Sequence, residues 1–332
     1  MNLRSIEYFL AVAEELNFTK AAKRLSVTQQ ALSGNIKRLE EEYNVQFFER
    51  RPSLRLTPEG EKMVFYGRKM LNAEREMQAA FSDISKNYRG SLTIGISRLR
   101  GQVFFPSIWN EYHKIRPNIA IEQVDGHSNE LDGLLQHGKI DLYIGVDPPH
   151  NPNQHRIELA REKMQVCIAQ SLLEQYRPSD WSELFAKYQS QGVDLTEIID
   201  LPFITLRKNN QLRQGLELFF SHHLSPTYII ETNQQELIYS LSKGGSGVGL
   251  ASPIIFYRHL PEIRQLGQAF QVLPIANDIP ENSVYLVHRK DSVLPQYAKD
   301  FIQVACKVFH NYNCTMSRTV SVPVSENGDK EI

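Results

Sequence analysis

The stretch Asn17–Glu40 reads NFTKAAKRLSVTQQALSGNIKRLE, and its apolar residues fall into two short helical patterns. Each pattern has one apolar face, which is typical of a helix that packs on one side only. Thr28 is a suitable N-cap for the second helix, because its hydroxyl can accept a hydrogen bond from a free backbone N–H group. Small residues on the apolar faces let two helices cross closely, so the stretch predicts a helix-turn-helix. The apolar positions are Ala21, Ala22 and Leu25, then Ala31, Leu32, Ile36 and Leu39.

The opposite side of the second helix is polar and suits DNA. Its side chains can exchange hydrogen bonds with base edges and phosphates. Glutamine can pair with adenine through two hydrogen bonds, which favours direct base contacts by Gln29 and Gln30. The alternative interpretation is an ordinary solvated helix face. The candidate DNA-binding residues of this helix are Thr28, Gln29, Gln30, Ser33, Asn35 and Arg38.

Residues 43–57 predict a wing that follows the helix-turn-helix. Two short strands flank a basic turn that contains Pro52. The apolar side chains of the wing are expected to pack on the core, and its arginines are expected to contact phosphates or an adjacent minor groove. An amphipathic helix over residues 3–16 completes a three-helix core. The core-facing residues of the wing are Phe47, Leu54 and Leu56, and its basic residues are Arg50, Arg51 and Arg55, of which Arg50 and Arg51 are candidate DNA-binding residues.

Residues 57–60 predict the start of a long helix, which is expected to continue to about residue 86. Thr57 is a suitable N-cap, Pro58 suits the first helical position, and Glu59 complements the helix dipole. Apolar residues then recur with a seven-residue period, which favours pairing with the same helix of a second subunit. The alternative is a core helix of its own domain. The repeat positions are Met63, Tyr66, Met70, Ala73, Met77, Ala80 and Ile84.

From residue 91 onward, predicted strands alternate with predicted helices, which indicates α/β architecture with parallel sheets. The predicted strands are 91–97, 119–124, 140–146, 163–169, 203–206, 228–231, 248–251, 271–273 and 284–288. Residues 98–101 are expected to form a loop, 171–192 a polar helical surface insertion, and 294–312 a last helix. We predict a DNA-binding domain at 1–57, a dimerisation helix at 58–90 and an effector-binding domain at 91–312. Its first subdomain would span about 91–162 and 268–312, its second about 163–267, and the polar tail at 313–332 is expected to be disordered.

Composition and motifs narrow the function classes. The 332 residues are 41% hydrophobic and 23% charged, with a net charge of −1, as in an ordinary soluble globular protein. Residues 1–90 hold 15 Lys and Arg against 12 Asp and Glu, so charge gives DNA binding only weak support. No apolar run of about 18 residues and no secretory signal is found, which predicts a cytoplasmic protein.

Catalytic and metal sites are not predicted. The sequence has no nucleophile elbow, P-loop, HExxH or spaced set of metal ligands, so we expect no enzyme, cofactor or metal. The adjacent His222 and His223 fit a helix surface better than a ligand pair. Three scattered cysteines, Cys167, Cys306 and Cys314, predict reduced structural thiols rather than a redox-sensing pair.

Four motifs resemble the LysR-type transcriptional regulators, and the resemblance covers about residues 1–310. Residues 9–60, FLAVAEELNFTKAAKRLSVTQQALSGNIKRLEEEYNVQFFERRPSLRLTPEG, are similar to the family's DNA-binding region almost throughout. LDGLLQHGKIDLYIG at 131–145 is similar to the first signature of its effector domain. DLPFITL at 200–206 resembles the start of its second subdomain, and GGSGVGLASP at 244–253 resembles its glycine-rich strand.

The resemblance implies fold, assembly and control. It implies an all-α winged helix-turn-helix followed by two Rossmann-like α/β subdomains, like a type II periplasmic binding protein. It implies homodimers that pair into tetramers on promoter DNA, and a small-molecule effector in the cleft between the subdomains. RNA polymerase is a further candidate partner. The alternative is a small-molecule-binding protein or enzyme that uses the two-lobed domain, with DNA binding secondary.

The candidate effector site lies in loops after the strands, where α/β folds place ligands. The loop at 126–129 precedes a helix, and helix N-terminal N–H groups favour an anion. Family resemblance places Ser97, Ser128 and residues 203–205 along the cleft. Nearby arginines, at 98, 100 and 207, favour an anionic effector. The candidate residues are Ser97, Arg98, His127, Ser128, Phe203, Thr205 and Arg207.

The second helix departs from the family pattern at Gln30 and Gly34. The family usually has Pro or Ser at the first position and a basic or long polar residue at the second. Glycine in a helix interior costs about 1 kcal/mol relative to alanine. It also removes a side chain that would touch DNA, so we expect a distinct base preference.

Overall fold

A computed structural model describes residues 2–84, 90–208, 210–223 and 226–320. Within those ranges, every helix is too short or too polar to span a lipid bilayer. The predicted repeat positions Ala80 and Ile84 have side chains outside the described part, as do His222 and His223. The end of the predicted linker helix near residue 86 and the tail at 321–332 also lie outside it.

The N-terminal domain is a winged helix-turn-helix, as predicted. Its elements are α1 (Leu3–Glu15), α2 (Phe18–Arg24), α3 (Gln29–Tyr43), β1 (Phe48–Glu49) and β2 (Arg55–Leu56). Side-chain oxygens of Asn2, Asn17 and Thr28 cap the three helices by accepting backbone N–H groups. The wing strands pair antiparallel, and Phe47, Leu54 and Leu56 pack against the helical core as predicted. The apolar faces of the three helices and the wing thus bury one another.

The linker helix α4 (Pro58–Ile84) begins at the predicted cap. The hydroxyl of Thr57 accepts the N–H of Gly60 at 3.0 Å and donates to the carbonyl of Gln46 at 2.6 Å. A Cβ atom at Gly60 would lie 2.2 Å from the carbonyl oxygen of Phe47, so only glycine fits there. Cap and glycine together fix the first turn of α4 against the wing.

The effector domain contains ten strands among the described residues. In chain order they are β3 (Gly90–Ile96), β4 (Ile119–Asp125), β5 (Leu142–Val146), β6 (Gln154–Glu162), β7 (Gln165–Ala169), β8 (Pro202–Leu206), β9 (Thr227–Thr232), β10 (Val248–Ala251), β11 (Phe270–Pro274) and β12 (Asn282–Arg289). The helices are α5 (Arg98–Ile115), α6 (Ser128–Gln136), α7 (Gln170–Tyr176), α8 (Trp181–Gln191), α9 (Gln211–His223), α10 (Gln235–Lys243), α11 (Pro253–Arg258), α12 (Leu260–Leu266) and α13 (Gln296–Val320).

These strands form two five-stranded sheets, each with its own hydrophobic core. The first sheet has the order β4-β3-β5-β12-β6 and the second has the order β11-β7-β10-β8-β9. The chain crosses from the first to the second between Glu162 and Gln165 and returns before β12. Two α/β subdomains with two crossings are therefore present.

Both sheets are mixed, so the prediction of parallel sheets is correct only in part. Parallel pairing joins β3 to β4 and β5, and joins β8 to β9 and β10. By contrast, β12 runs antiparallel to β5 and β6, and β7 runs antiparallel to β10 and β11. The edge strand β6 is absent from the sequence prediction, because charged residues such as Arg156, Glu158 and Arg161 weaken its apolar pattern. Charged side chains on an edge strand discourage pairing with other chains.

The predicted boundary at residue 267 is wrong. Strand β11 pairs along its whole length with β7 in the second sheet. Ile275 and Ile279 also pack in the core of the second subdomain. The second subdomain therefore continues past β11, since that strand completes its edge.

Three local predictions also need correction. Residues 98–101 are not a loop, because α5 starts at Arg98. Residues 171–192 are not only a surface insertion, since α7 and α8 bury Leu173, Phe185 and Tyr188 in the second core. Disorder from residue 313 is wrong for 313–320, because α13 continues to Val320 and buries Met316.

Candidate DNA-binding surface and effector cleft

The candidate DNA-binding residues of α3 divide into an exposed and a half-buried group. Gln29, Gln30 and Arg38 are exposed, whereas Ser33 and Asn35 are half-buried. The Thr28 hydroxyl is engaged in capping, because it accepts the N–H of Ala31 at 3.2 Å. Three long polar side chains therefore remain available to an external partner.

Gln29 is held in place by the preceding helix. The hydroxyl of Thr19 on α2 donates to its Oε1 atom at 3.2 Å. That contact leaves the amide NH₂ group of Gln29 free to donate to a base or phosphate. Sequence reasoning did not identify Thr19, because the contact depends on how α2 and α3 cross.

The wing arginines lie close to α3. Arg50 is 3.3 Å from the carboxylate of Glu40 near the end of α3, and its guanidinium lies over the ring of Phe18 at 5.8 Å. Arg51 is exposed. Because Glu40 also accepts the backbone N–H of Phe47 at 2.9 Å, this carboxylate fixes the entry to the wing. The two basic side chains thus extend the polar surface of α3.

A Cβ atom at Gly34 would meet no other atom within 4 Å. Packing therefore does not require glycine at this position of α3.

In the effector domain, side chains at or just past the carboxyl ends of β3 and β5 contact both subdomains. Leu99 and Val146 pack against the cores of both subdomains, which locates the cleft between them. Ser97 is half-buried directly after β3, and its side chain makes no capping hydrogen bond to α5. Arg98 pairs with Asp125 at 3.4 Å, and His127 is exposed at the start of α6. Ser97 and Arg98 therefore directly precede Leu99, and Arg98 pairs with the end of β4, which His127 follows.

The side chains of Ser128 and Phe203 are buried and engaged within the fold. The Ser128 hydroxyl donates to the carbonyl of Val146 at 2.7 Å and accepts its N–H at 2.9 Å. Phe203 is fully buried at the amino end of β8 and contacts Phe220 edge-on. The Ser128 side chain thus joins α6 to β5, and Phe203 packs in the core of the second subdomain.

Thr205 and Arg207 lie at the carboxyl end of β8. Thr205 is fully buried, and its hydroxyl has no hydrogen-bond partner among the described residues. Arg207 is exposed, and within the described ranges no carboxylate forms an ion pair with it. A buried hydroxyl without a hydrogen-bond partner carries a desolvation cost.

The model described as bacterial regulatory helix-turn-helix protein, lysR family, matches residues 3–61, and the model described as LysR substrate binding domain matches residues 85–309. The chain belongs to the LysR family of transcriptional regulators. A relative of this LysR-type regulator is the HTH-type transcriptional regulator BenM of Acinetobacter baylyi. It is 31% identical over 262 residues, which cover 75% of this chain and 80% of that protein.

Other relatives agree with the family and the fold. The regulator AlsR of Bacillus subtilis is 29% identical over 252 residues, which cover 75% of this chain and 79% of that protein. A full-length OxyR from Pseudomonas aeruginosa superimposes with a TM-score of 0.65 at 21% identity and covers 99% of both chains. CbnR in complex with its target DNA gives a TM-score of 0.58 at 17% identity and covers 93% of this chain and 100% of that chain. This LysR-type regulator thus combines a DNA-binding domain with an effector-binding domain, as predicted.

One buried cluster joins the two subdomains of this LysR-type regulator and was missed by sequence reasoning. Glu162, the last residue of β6, accepts from Arg100 at 2.5 Å, from Ser252 at 3.1 Å and from Tyr312 at 3.2 Å. Ser252 precedes α11 in the second subdomain, while Arg100 and Tyr312 belong to the first. Burial, together with the neighbouring Glu162 carboxylate, raises the pKa of Tyr312. The four residues are far apart in sequence, so no local pattern reveals them.

Proposed function

We propose that this regulator binds promoter DNA through α3 and its wing, as a dimer joined by α4, under the control of a small carboxylate bound between the two subdomains. We place the protein in the cytoplasm, where bacterial transcription takes place. Pairing of dimers into tetramers and contact with RNA polymerase are part of the proposal. No catalytic step is assigned to the two-lobed domain.

The exposed polar face of α3 carries the DNA-binding proposal. Gln29, fixed by Thr19, presents its amide to the exterior, and Gln30 and Arg38 flank it. Such side chains can form hydrogen bonds with base edges in the major groove. Arg50 and Arg51 supply positive charge beside them, which suits backbone phosphates. Ser33, Asn35 and the capping Thr28 would border this surface.

Dimerisation is supported by an apolar stripe on α4. Tyr66, Met70 and Met77 are 56%, 39% and 51% exposed at the predicted repeat positions. Large apolar side chains at this spacing on one exposed helix face favour pairing with another helix. A second copy of the chain offers the same stripe.

Arg207 and the start of α6 support a carboxylate effector. Two of the three arginines that suggested an anion are already paired, Arg98 with Asp125 and Arg100 with Glu162. Arg207 remains as the available cation near Thr205. The exposed His127 and the first N–H groups of α6 add positive potential at the opposite rim.

The DNA-binding proposal is tested by selecting binding sequences from a random DNA library with the full chain. We expect the Gln29→Ala variant to bind the selected sequence about 10- to 100-fold more weakly in gel shifts, because a base contact of this kind contributes about 1–3 kcal/mol. Gln189→Ala, on α8, is the matched control and should bind normally. Unchanged affinity of the Gln29→Ala variant would overturn the assignment of α3.

The effector proposal is tested separately by thermal shift. A set of small carboxylates is compared with the corresponding neutral amides and with amines, using the wild-type chain and an Arg207→Met variant. We expect stabilisation by carboxylates in the wild type and a smaller shift in the variant. Stabilisation by amides or amines alone would contradict the carboxylate class while leaving the DNA-binding proposal intact.

A further inference from the structure

A cavity of about 360 Å³ lies between the linker helix α4 and the first subdomain. One side is formed by α4, and the other by the end of α6, the segment that leads into β6, and the end of β12. None of the cleft candidates lines it. Its size is at the lower end of the range for small-molecule sites. The side chains that bear on its chemistry are Phe65, Asn72, Gln136, Asn151, Asn153 and Gln154.

The charged groups around this cavity neutralise one another. Asp291 lies 3.8 Å from Lys69 and 3.6 Å from Arg289. Glu76 accepts the hydroxyl of Ser292 at 2.8 Å. Lys69, Arg289, Glu76 and Asp291 thus line the wall with no formal excess of either sign, and His137, counted as neutral, also lines it. The cavity therefore does not select an ionic ligand.

Amide side chains dominate the remaining polar surface. Each amide offers both donors and acceptors, which matches a ligand whose hydroxyl groups do the same. Gln154 donates its Nε2 to Asp132 at 2.6 Å, and its buried Oε1 has no hydrogen-bond partner among the described residues. Asn72 from α4 and Asn153 from the β6 side lie on opposite walls. Phe65 adds an apolar surface, so the lining combines one aromatic ring with several amides.

We propose that this cavity is a binding site for a small, neutral, polyhydroxylated molecule of monosaccharide or cyclitol size. Such a ligand would contact α4 and the first subdomain at once. It would therefore stabilise their packing, which is the connection between the DNA-binding half and the effector domain. The site is distinct from the cleft between the subdomains and takes a different chemical class.

The test is thermal unfolding of the full chain with D-glucose, D-galactose and myo-inositol at about 10 mM. D-glucuronate and D-glucosamine serve as matched anionic and cationic probes. We expect at least one neutral probe to raise the melting temperature by about 2 °C or more. The Asn72→Ala/Asn153→Ala double variant should lose this shift, while Asn110→Ala, an exposed asparagine on α5, should retain it.

Each single asparagine variant should weaken binding of that probe about tenfold, so the site can be tested even if the double variant does not fold. Thr205→Val, in the cleft, should leave the shift unchanged. Three results would overturn the proposal: no shift with any neutral probe, a shift that survives both asparagine substitutions, or a shift with the charged sugars alone.

Discussion

The Nη2 atom of Arg100 donates to the Oε2 atom of Glu162 at 2.5 Å, and the two side chains are only 6% and 0% exposed. Glu162 stands where the chain leaves the first subdomain for the second. Its carboxylate also accepts the hydroxyl of Ser252 from the second subdomain. One buried carboxylate thus bonds side chains of both subdomains.

Replacing Glu162 with Gln should destabilise the effector domain by about 3 kcal/mol or more. The substitution leaves the buried Arg100 without a counter-charge, which is more costly than losing an exposed pair. Urea unfolding followed by tryptophan fluorescence measures the change. Glu158→Gln, on the same strand and paired with Arg161 at the surface, is the control and should leave the midpoint unchanged. Equal midpoints for both variants would contradict a stabilising role for the buried pair.

Removing the hydroxyl of Ser128 should lower the stability, whereas removing that of Thr205 should not. Ser128 has two hydrogen-bond partners, so Ser128→Ala should cost about 1 kcal/mol or more. The Thr205 hydroxyl is buried without a partner, so the isosteric Thr205→Val should be neutral or stabilise by about 1 kcal/mol. Thermal unfolding of the ligand-free chain compares them. A loss of stability in Thr205→Val would show that its hydroxyl is bonded in solution.

Replacing Gly34 and replacing Gly60 with alanine should change the stability in opposite directions. Gly34→Ala should stabilise α3 by about 0.8–1 kcal/mol, because alanine has the higher helix propensity and its Cβ meets open space. Gly60→Ala should destabilise by about 1–3 kcal/mol, since its Cβ would overlap the carbonyl of Phe47. The melting temperatures of the two variants, compared with that of the wild type, measure both changes. A destabilising Gly34→Ala would mean that another contact occupies that space in solution.

Charged substitutions in the apolar stripe of α4 should prevent dimerisation. Met70→Glu combined with Met77→Glu should convert dimers to monomers, because pairing would bury the glutamate charges between the two helices. Light scattering after size exclusion measures the mass. Lys62→Glu, exposed on the same helix, tests charge change alone and should leave the dimer intact. A dimer that persists in the double variant would place the interface elsewhere.

Glu14 links the DNA-binding core to α4 and should make that contact sensitive to acid. Burial raises its pKa, but hydrogen bonds from Arg24 at 2.9 Å and Arg68 at 3.2 Å outweigh this and hold the pKa below its usual value. A carboxyl group whose pKa is lowered by folding stabilises the folded state at any pH above its pKa in the unfolded state. This stabilisation is lost as the pH falls through its pKa in the folded state. The stability difference between wild type and Glu14→Gln should therefore shrink below about pH 4.5. Urea midpoints at neutral and acidic pH measure it, and a difference independent of pH would refute the linkage.

Local patterns determined much of this protein. The caps at Asn17, Thr28 and Thr57 and the apolar faces of α1 to α3 are read from residues a few positions apart, because a helix brings together residues three or four apart. The same holds for the alternation of strands and helices after residue 90. These features were enough to predict the winged helix-turn-helix, the long linker helix and the α/β architecture, and the resemblance to the LysR family implied the two subdomains.

Tertiary structure alone decided which side chains meet. Glu162, Ser252 and Tyr312 converge although up to 150 positions separate them. Strand β11 joins the second sheet rather than the first because of its pairing with β7. Phe203 and Ser128 are engaged within the fold, whereas the amides at 72, 153 and 154 gather around a cavity. Local sequence fixes backbone preference, but long-range packing sets burial and pairing, and those determine whether a polar group is free for a ligand.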